Sequence, residues 1–167
     1  MNVIEAIRTR RSVRLYKPDA IPEEVLMQVL DAARLAPSAG NRQPWIFYVV
    51  RSPEVKEKLK AAYGAEWLQA APVAIVACGL PDKAWTRSDG KNYCDVDVTI
   101  AMDHLVLAAW ELGLGTCWIG AFDAAKLKEA LELPEGVEPL AMTPLGYPAE
   151  QPPAKPRKPM EEFAKFV

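Results

Sequence analysis

The chain has 167 residues, half of them hydrophobic and a quarter charged, which is the profile of one soluble globular domain with a sizeable core. Its net charge of −2 argues against general binding to nucleic acid or to a membrane surface, since both need a basic excess. Three cysteines without a Cys-x-x-Cys pair, and a single histidine, leave no zinc or iron–sulfur ligand set.

Residues 2–8 read as a short helix with Asn2 at its N-cap. The leading segment from Met1 to Glu5 lacks the basic and apolar regions of a signal peptide. With the sparse, odd cysteine count this implies a cytoplasmic protein. A dense cationic stretch follows: Arg8, Arg10, Arg11, Arg14 and Lys17, with Ser12 among them. Arg10, Ser12 and Arg14 alternate, so an extended backbone turns them to one face. Two readings stand at this point, a solvated surface patch or a phosphate cradle of guanidinium groups and a hydroxyl.

Residues 22–36 form an amphipathic helix, with Pro22 at its start and Val25, Leu26, Val29, Leu30, Ala33 and Ala36 on one face. Pro37 ends it and opens a nine-residue loop, 37–45, rich in donors and acceptors from Ser38, Asn41 and Gln43, with Gly40 free to take positive φ. The loop is either a connector or a preorganised clamp for a ligand. A strand at 45–50, a helix at 53–62 and a buried strand at 73–78 come next. Residues 80–94 are polar and irregular. The helix near 96–112 is apolar on nearly all sides, which places it at the centre of the fold or in a subunit contact. Gly113 caps it, residues 115–120 form a strand or tight turn, and Asp123 caps a helix at 124–131. A last strand at 139–146 precedes an extended tail, six prolines falling between Pro144 and Pro159.

No Gly-x-x-x-x-Gly-Lys-Ser/Thr or Gly-x-Gly-x-x-Gly motif is present, so a nicotinamide would bind as a transient substrate, without a Rossmann domain. His104, on the apolar helix, reads as a core or interface residue and supports no triad. Three polar clusters remain: Arg10 to Arg14, Ser38 to Gln43, and Lys155 to Arg157. Together they suggest one anionic ligand held from several directions, with the chemistry belonging to a cofactor.

The combination resembles the nitroreductase family of FMN-dependent oxidoreductases. Ile7-Arg8-Thr9-Arg10-Arg11-Ser12-Val13-Arg14 and Ala36-Pro37-Ser38-Ala39-Gly40-Asn41-Arg42-Gln43-Pro44-Trp45 carry the resemblance, followed in family order by the segment 108–120, then Leu145-Gly146-Tyr147-Pro148 and Lys155-Pro156-Arg157-Lys158-Pro159. The resemblance implies a single α+β domain over 1–167, an α/β/α sandwich with a central mixed, mostly antiparallel sheet, forming a homodimer. By the same resemblance Arg10, Ser12, Arg14, Lys155 and Arg157 would hold the phosphate and ribityl chain of FMN, with Arg11 in the same motif contributing backbone or side-chain contacts. Pro37, Ser38, Ala39 and Asn41 would reach the flavin of the other subunit, and Gln43 would be either a further cofactor-binding residue or a packing residue of the loop. Gly120 and Ala121 would bring backbone N–H groups to the flavin N5 and pyrimidine edge. The implied reaction is ping-pong: NADH or NADPH reduces the flavin, and a small-molecule acceptor such as a nitro compound or quinone takes the electrons, with no catalytic side chain. The alternatives are a specialised flavin reductase or dehydrogenase of the same fold, and a flavin-binding protein with little turnover. The compact stretches 63–72 and 80–95, where larger members carry insertions, leave the acceptor open.

Overall fold

The structure is a computed structural model that describes residues 2–167; Met1, from the leading segment read above, lies outside them. From the N-terminus the elements are α1 (Val3–Thr9), α2 (Glu23–Arg34), β1 (Trp45–Val50), α3 (Pro53–Leu59), α4 (Glu66–Ala70), β2 (Val73–Gly79), α5 (Cys94–Glu111), β3 (Gly115–Thr116), α6 (Ala124–Ala130), β4 (Glu138–Gly146) and α7 (Met160–Phe163). Asn2 and Asp123 cap α1 and α6 as expected, their side-chain oxygens accepting from the N–H groups of Glu5 and Lys126 at 2.9 and 3.1 Å.

The four strands lie in the order β1-β2-β4-β3, every neighbouring pair antiparallel. The parallel component of this α+β sheet is the single bridge Ser12↔Thr116, which lays the cationic segment along β3. β2 is buried from end to end because helices cover both its faces. Ala74, Val76 and Cys78 pack with Leu59, Leu68 and Leu127, from α3, α4 and α6. Val73 and Ile75 pack with Leu26 and Val29 of α2 and with Leu105 and Ala109 of α5. The result is an α/β/α sandwich.

Helix α5 buries side chains around most of its circumference, from Cys94 and Val98 to Leu105 and Ala109. It ends in a Schellman motif. Leu114 N–H donates to Ala109 O and Gly113 N–H to Trp110 O, with Gly113 at φ +78°. It starts at Cys94, two residues earlier than its apolar pattern, because Asn92 Oδ1 accepts from Cys94 N–H at 2.8 Å.

Other differences from the sequence expectation have local causes. Helix α3 stops at Leu59, and the chain turns through residues 60–62 on three-residue hydrogen bonds. The five-residue α4 and four-residue α7 are too short to write a periodic pattern. Lys56 steadies the end of α4 by donating to Gln69 O and Ala71 O at 3.2 and 2.8 Å, and burial lowers its pKa. Residues 80–94 carry an internal order invisible in composition. A bridge joins Thr86 and Asn92, Trp85 meets Tyr93 edge-on at 5.0 Å, and Arg87 pairs with Asp89 and lies over the Tyr93 ring.

All three cysteines are buried free thiols, and burial raises the pKa of each, that of Cys78 to about 12. At pH 8 the native protein should therefore leave Cys78, Cys94 and Cys117 unreacted with a disulfide reagent such as DTNB, and all three should titrate once urea unfolds it. From pH 9.0 up to about 12 unfolded Cys78 ionises while native Cys78 does not, so the urea midpoint should fall over that window and fall less steeply in Cys78→Ala.

Candidate functional site

The segment 10–16 is held against β3 by features spread along the chain. Val13 N–H donates to Thr116 O at 2.8 Å, and the Tyr16 hydroxyl donates back to Val13 O at 2.5 Å. Burial, ahead of Cys117 and Glu150 nearby, pushes the Tyr16 phenol well above its ordinary pKa, so it stays a donor. Val13 is fully buried while Ser12 is half-buried and Arg14 exposed, as an alternating segment requires. Its backbone approaches closely because Gly115 has no side chain: a Cβ there would lie 2.9 Å from Val13 Cβ. From the opposite end of the chain Glu150 Oε1 accepts from Arg14 N–H at 2.5 Å.

These contacts bring Arg10, Arg11, Ser12 and Arg14 together with Lys155 and Arg157 around one cavity of about 480 Å³. Arg8 completes a set of six cations, and no acidic residue lines the cavity. In a chain of net charge −2 this is a strong local positive field. Arg11 is committed to the backbone, its guanidinium donating to Arg8 O and Arg10 O at 3.0 and 2.9 Å. Arg14 lies 5.7 Å from the Trp67 ring centre, a cation–π distance. The donor set, guanidinium groups with a serine hydroxyl, fits the phosphate of a nucleotide such as FMN.

A second cavity of about 240 Å³ adjoins it, lined by Arg10, Ser12, Asp103, Val106, Thr116 and Trp118. Asp103 and Trp118 were not picked out from the sequence. Trp118 faces outward because the β3–β4 ladder breaks beside Pro144, which has no N–H to donate. Thr143 Oγ1 there accepts from Cys117 N–H at 3.0 Å, and the ladder resumes in the pair Ile119↔Met142. Gly120 and Ala121 follow on the exposed side of that pair, with no atom within 4 Å of where a Gly120 Cβ would stand. They line neither cavity.

The loop 37–45 lies elsewhere. It leads into β1, at the opposite edge of the sheet from the cationic segment, about 19 Å away at four strand spacings. Pro37, Asn41 and Gln43 are exposed, with Ser38 and Ala39 half-buried. Positive φ recurs at Gly40, Asn41 and Gln43, at 60°, 53° and 49°. Ser38 Oγ accepts from Gln43 N–H at 2.9 Å, and Gln43 Nε2 donates to Asn41 O and Oδ1. Gln43 thus braces the loop from within. Arg42 ties it to the 80–94 stretch by donating to Ala84 O at 3.0 Å. His104 lines a separate groove with Val3, Ala6, Leu35 and Leu107. Among the described residues no His, Cys, Asp and Glu side chains cluster as a metal site, and no helix is long and apolar enough to cross a membrane.

The chain matches the nitroreductase family model over residues 7–74 and 60–147, and it belongs to that family. It is 42% identical over 158 residues to a protein of Methanothermobacter thermautotrophicus provisionally named NADH dehydrogenase/NAD(P)H nitroreductase, covering 91% of this chain and 80% of the relative. It is 34% identical to a Bacillus subtilis protein named FMN reductase [NAD(P)H], covering 95% and 71% of the two chains. The crystal structure of a nitroreductase family protein from Clostridium difficile superposes with a TM-score of 0.92 at 38% identity, covering 99% of this chain and 98% of the other.

Gly115→Ala should destabilise the fold by about 1–3 kcal/mol, because the added methyl meets the Val13 side chain in a closed contact. Urea unfolding of the two proteins measures this. A change under about 0.5 kcal/mol, the size of an ordinary surface substitution, would mean that the cationic segment is not clamped as described.

Proposed function

We propose that this chain is a single-domain, FMN-dependent oxidoreductase that uses NADH or NADPH to reduce nitroaromatics, quinones or similar acceptors in two alternating half-reactions. The observation that carries the reading is the acid-free cavity of six cations and a serine hydroxyl, in a chain of the nitroreductase family with a relative named FMN reductase [NAD(P)H]. FMN, when bound, supplies the centre that accepts and returns a hydride. The protein's task is then to bind, orient and exclude water.

In this reading Arg10, Ser12, Arg14, Lys155 and Arg157 hold the phosphate, and Arg11 stiffens their backbone. Gly120 and Ala121 offer a turn without bulk on which the flat ring system can lie close to main-chain N–H groups. Pro37, Ser38, Ala39, Asn41 and Gln43 serve the flavin of a second copy of the chain, which accounts for a polar loop at the wrong edge of the sheet for its own cationic cavity. Two features support a homodimer. β1 is an edge strand. The tail ends with Phe163 and Phe166 78% and 95% exposed, apolar surface that a second copy would bury.

Purified protein reconstituted with FMN should be yellow, bleach on addition of NADH or NADPH without oxygen, and recover its colour with a quinone or nitroaromatic. Protein that never holds FMN would overturn the reading. Flavin that binds but is not reduced by either nicotinamide would favour a flavin-binding protein with little turnover. Arg10→Ala and Arg157→Ala should each weaken FMN binding roughly ten- to a hundred-fold, as expected on removing a charged hydrogen bond. Their thermal midpoints should stay within a few degrees of the parent. Unchanged flavin affinity in both would remove the phosphate assignment.

A further inference from the structure

Asp97 is the most unusual polar residue of the core. It is 2% exposed, on the helix that packs against the sheet's centre. Its Oδ1 accepts from Ala39 N–H at 3.0 Å, while its Oδ2 is buried with no hydrogen-bond partner. Burying a carboxyl oxygen without a partner is destabilising, and an apolar residue here would pack against the sheet at no such penalty. Helix α5 does not need the side chain, since Asp97 N–H is already satisfied by Tyr93 O.

What the carboxyl group does is hold Ala39. That residue begins a stretch in which Gly40, Asn41 and Gln43 all take positive φ, and two of these are not glycine. Such residues cost about 1–2 kcal/mol each and persist only where surrounding contacts over-determine them. The contacts that tie the loop to other elements are unevenly placed. Arg42 reaches Ala84 O, and Leu80 N–H reaches Pro44 O, both after Gly40. Asp97 alone among these acts before Gly40, beside Ser38. The Ser38 hydroxyl oxygen already accepts from Gln43 N–H and Asn41 Oδ1 from Gln43 Nε2, so the Ser38 hydroxyl proton and the Nδ2 group of the exposed Asn41 are what the loop offers outward.

We infer that Asp97 is a positioning residue: its carboxyl oxygen fixes Ala39 and with it the aim of Ser38 and Asn41 at the flavin of a second copy. This rests on the reading of loop 37–45 given above. The buried, unpaired oxygen is the stability surrendered for a rigid loop.

The test is FMN affinity of the apoproteins, read from quenching of flavin fluorescence, with thermal midpoint and oligomeric mass measured on the same samples. Asp97→Ala should raise the FMN dissociation constant roughly tenfold, with the apoprotein's midpoint unchanged or higher and its mass unchanged. Asp97→Asn retains an acceptor for Ala39 N–H and should stay within about threefold of the parent. If Asp97→Ala does not fold, Asp97→Ser, whose oxygen is too short to reach Ala39, takes its place with the same expectations. Ser38→Ala and Asn41→Ala separate the two levels. If they weaken FMN binding and Asp97→Ala does not, the inference fails while the loop assignment stands. If none of the three affects FMN, the loop assignment itself falls. An Asp97→Asn variant as weak as Asp97→Ala, or a change in oligomeric mass, would also overturn the positioning role.

Discussion

The burial of α5 against the sheet sets the geometry of everything polar in this molecule. Val98, Met102, Leu105 and Ala109 leave it no freedom to rotate or slide, because each is packed against β2 or its neighbours. One end of this fixed rod presents Asp97 to the loop before β1. Asp103 borders the smaller cavity, and the Schellman turn at the far end delivers Gly115 and Thr116 to the cationic segment. Two surfaces at opposite sheet edges thus share one rigid support. A scaffold of this kind suits ligand groups that must be held at set positions without help from a metal.

The cationic cavity shows how a mildly acidic protein assembles a strongly positive site. Like charges at this density repel, and only backbone contacts keep them together. The bridge to Thr116, the hydroxyl of Tyr16 and the Glu150 carboxyl group each engage main-chain atoms of residues 12–14, so none of these contacts uses a guanidinium group. Arg11 is turned inward on Arg8 and Arg10, and Arg14 lies against the Trp67 ring. The consequence is a positive cavity gathered by the fold itself.

Much of this was legible in the residues. The alternation Arg10, Ser12, Arg14 has the period of an extended chain, and Gly113 and Asp123 announce the helix ends they make. What stayed hidden depends on pairing between distant segments. Nothing local says that the ladder will break at Pro144 or that Thr143 Oγ1 will accept from Cys117 N–H, so the outward turn of Trp118 is visible only once the strand register is known. Asp97 and Asp103 were obscured differently, since on a helix so apolar two acids read as incidental breaks. Gly40 declared its backbone conformation, but Gln43, a residue that rarely takes positive φ, did not.

The two halves of the cationic cavity lie at opposite ends of the chain, residues 8–14 and 155–157. Helices α1 to α6 and all four strands are complete by Gly146. A ribosome making this protein therefore finishes the whole sheet before it adds the last cations of the cavity. A chain cut just past the last strand would keep every strand yet lack Lys155 and Arg157, two of the six cations of the cavity.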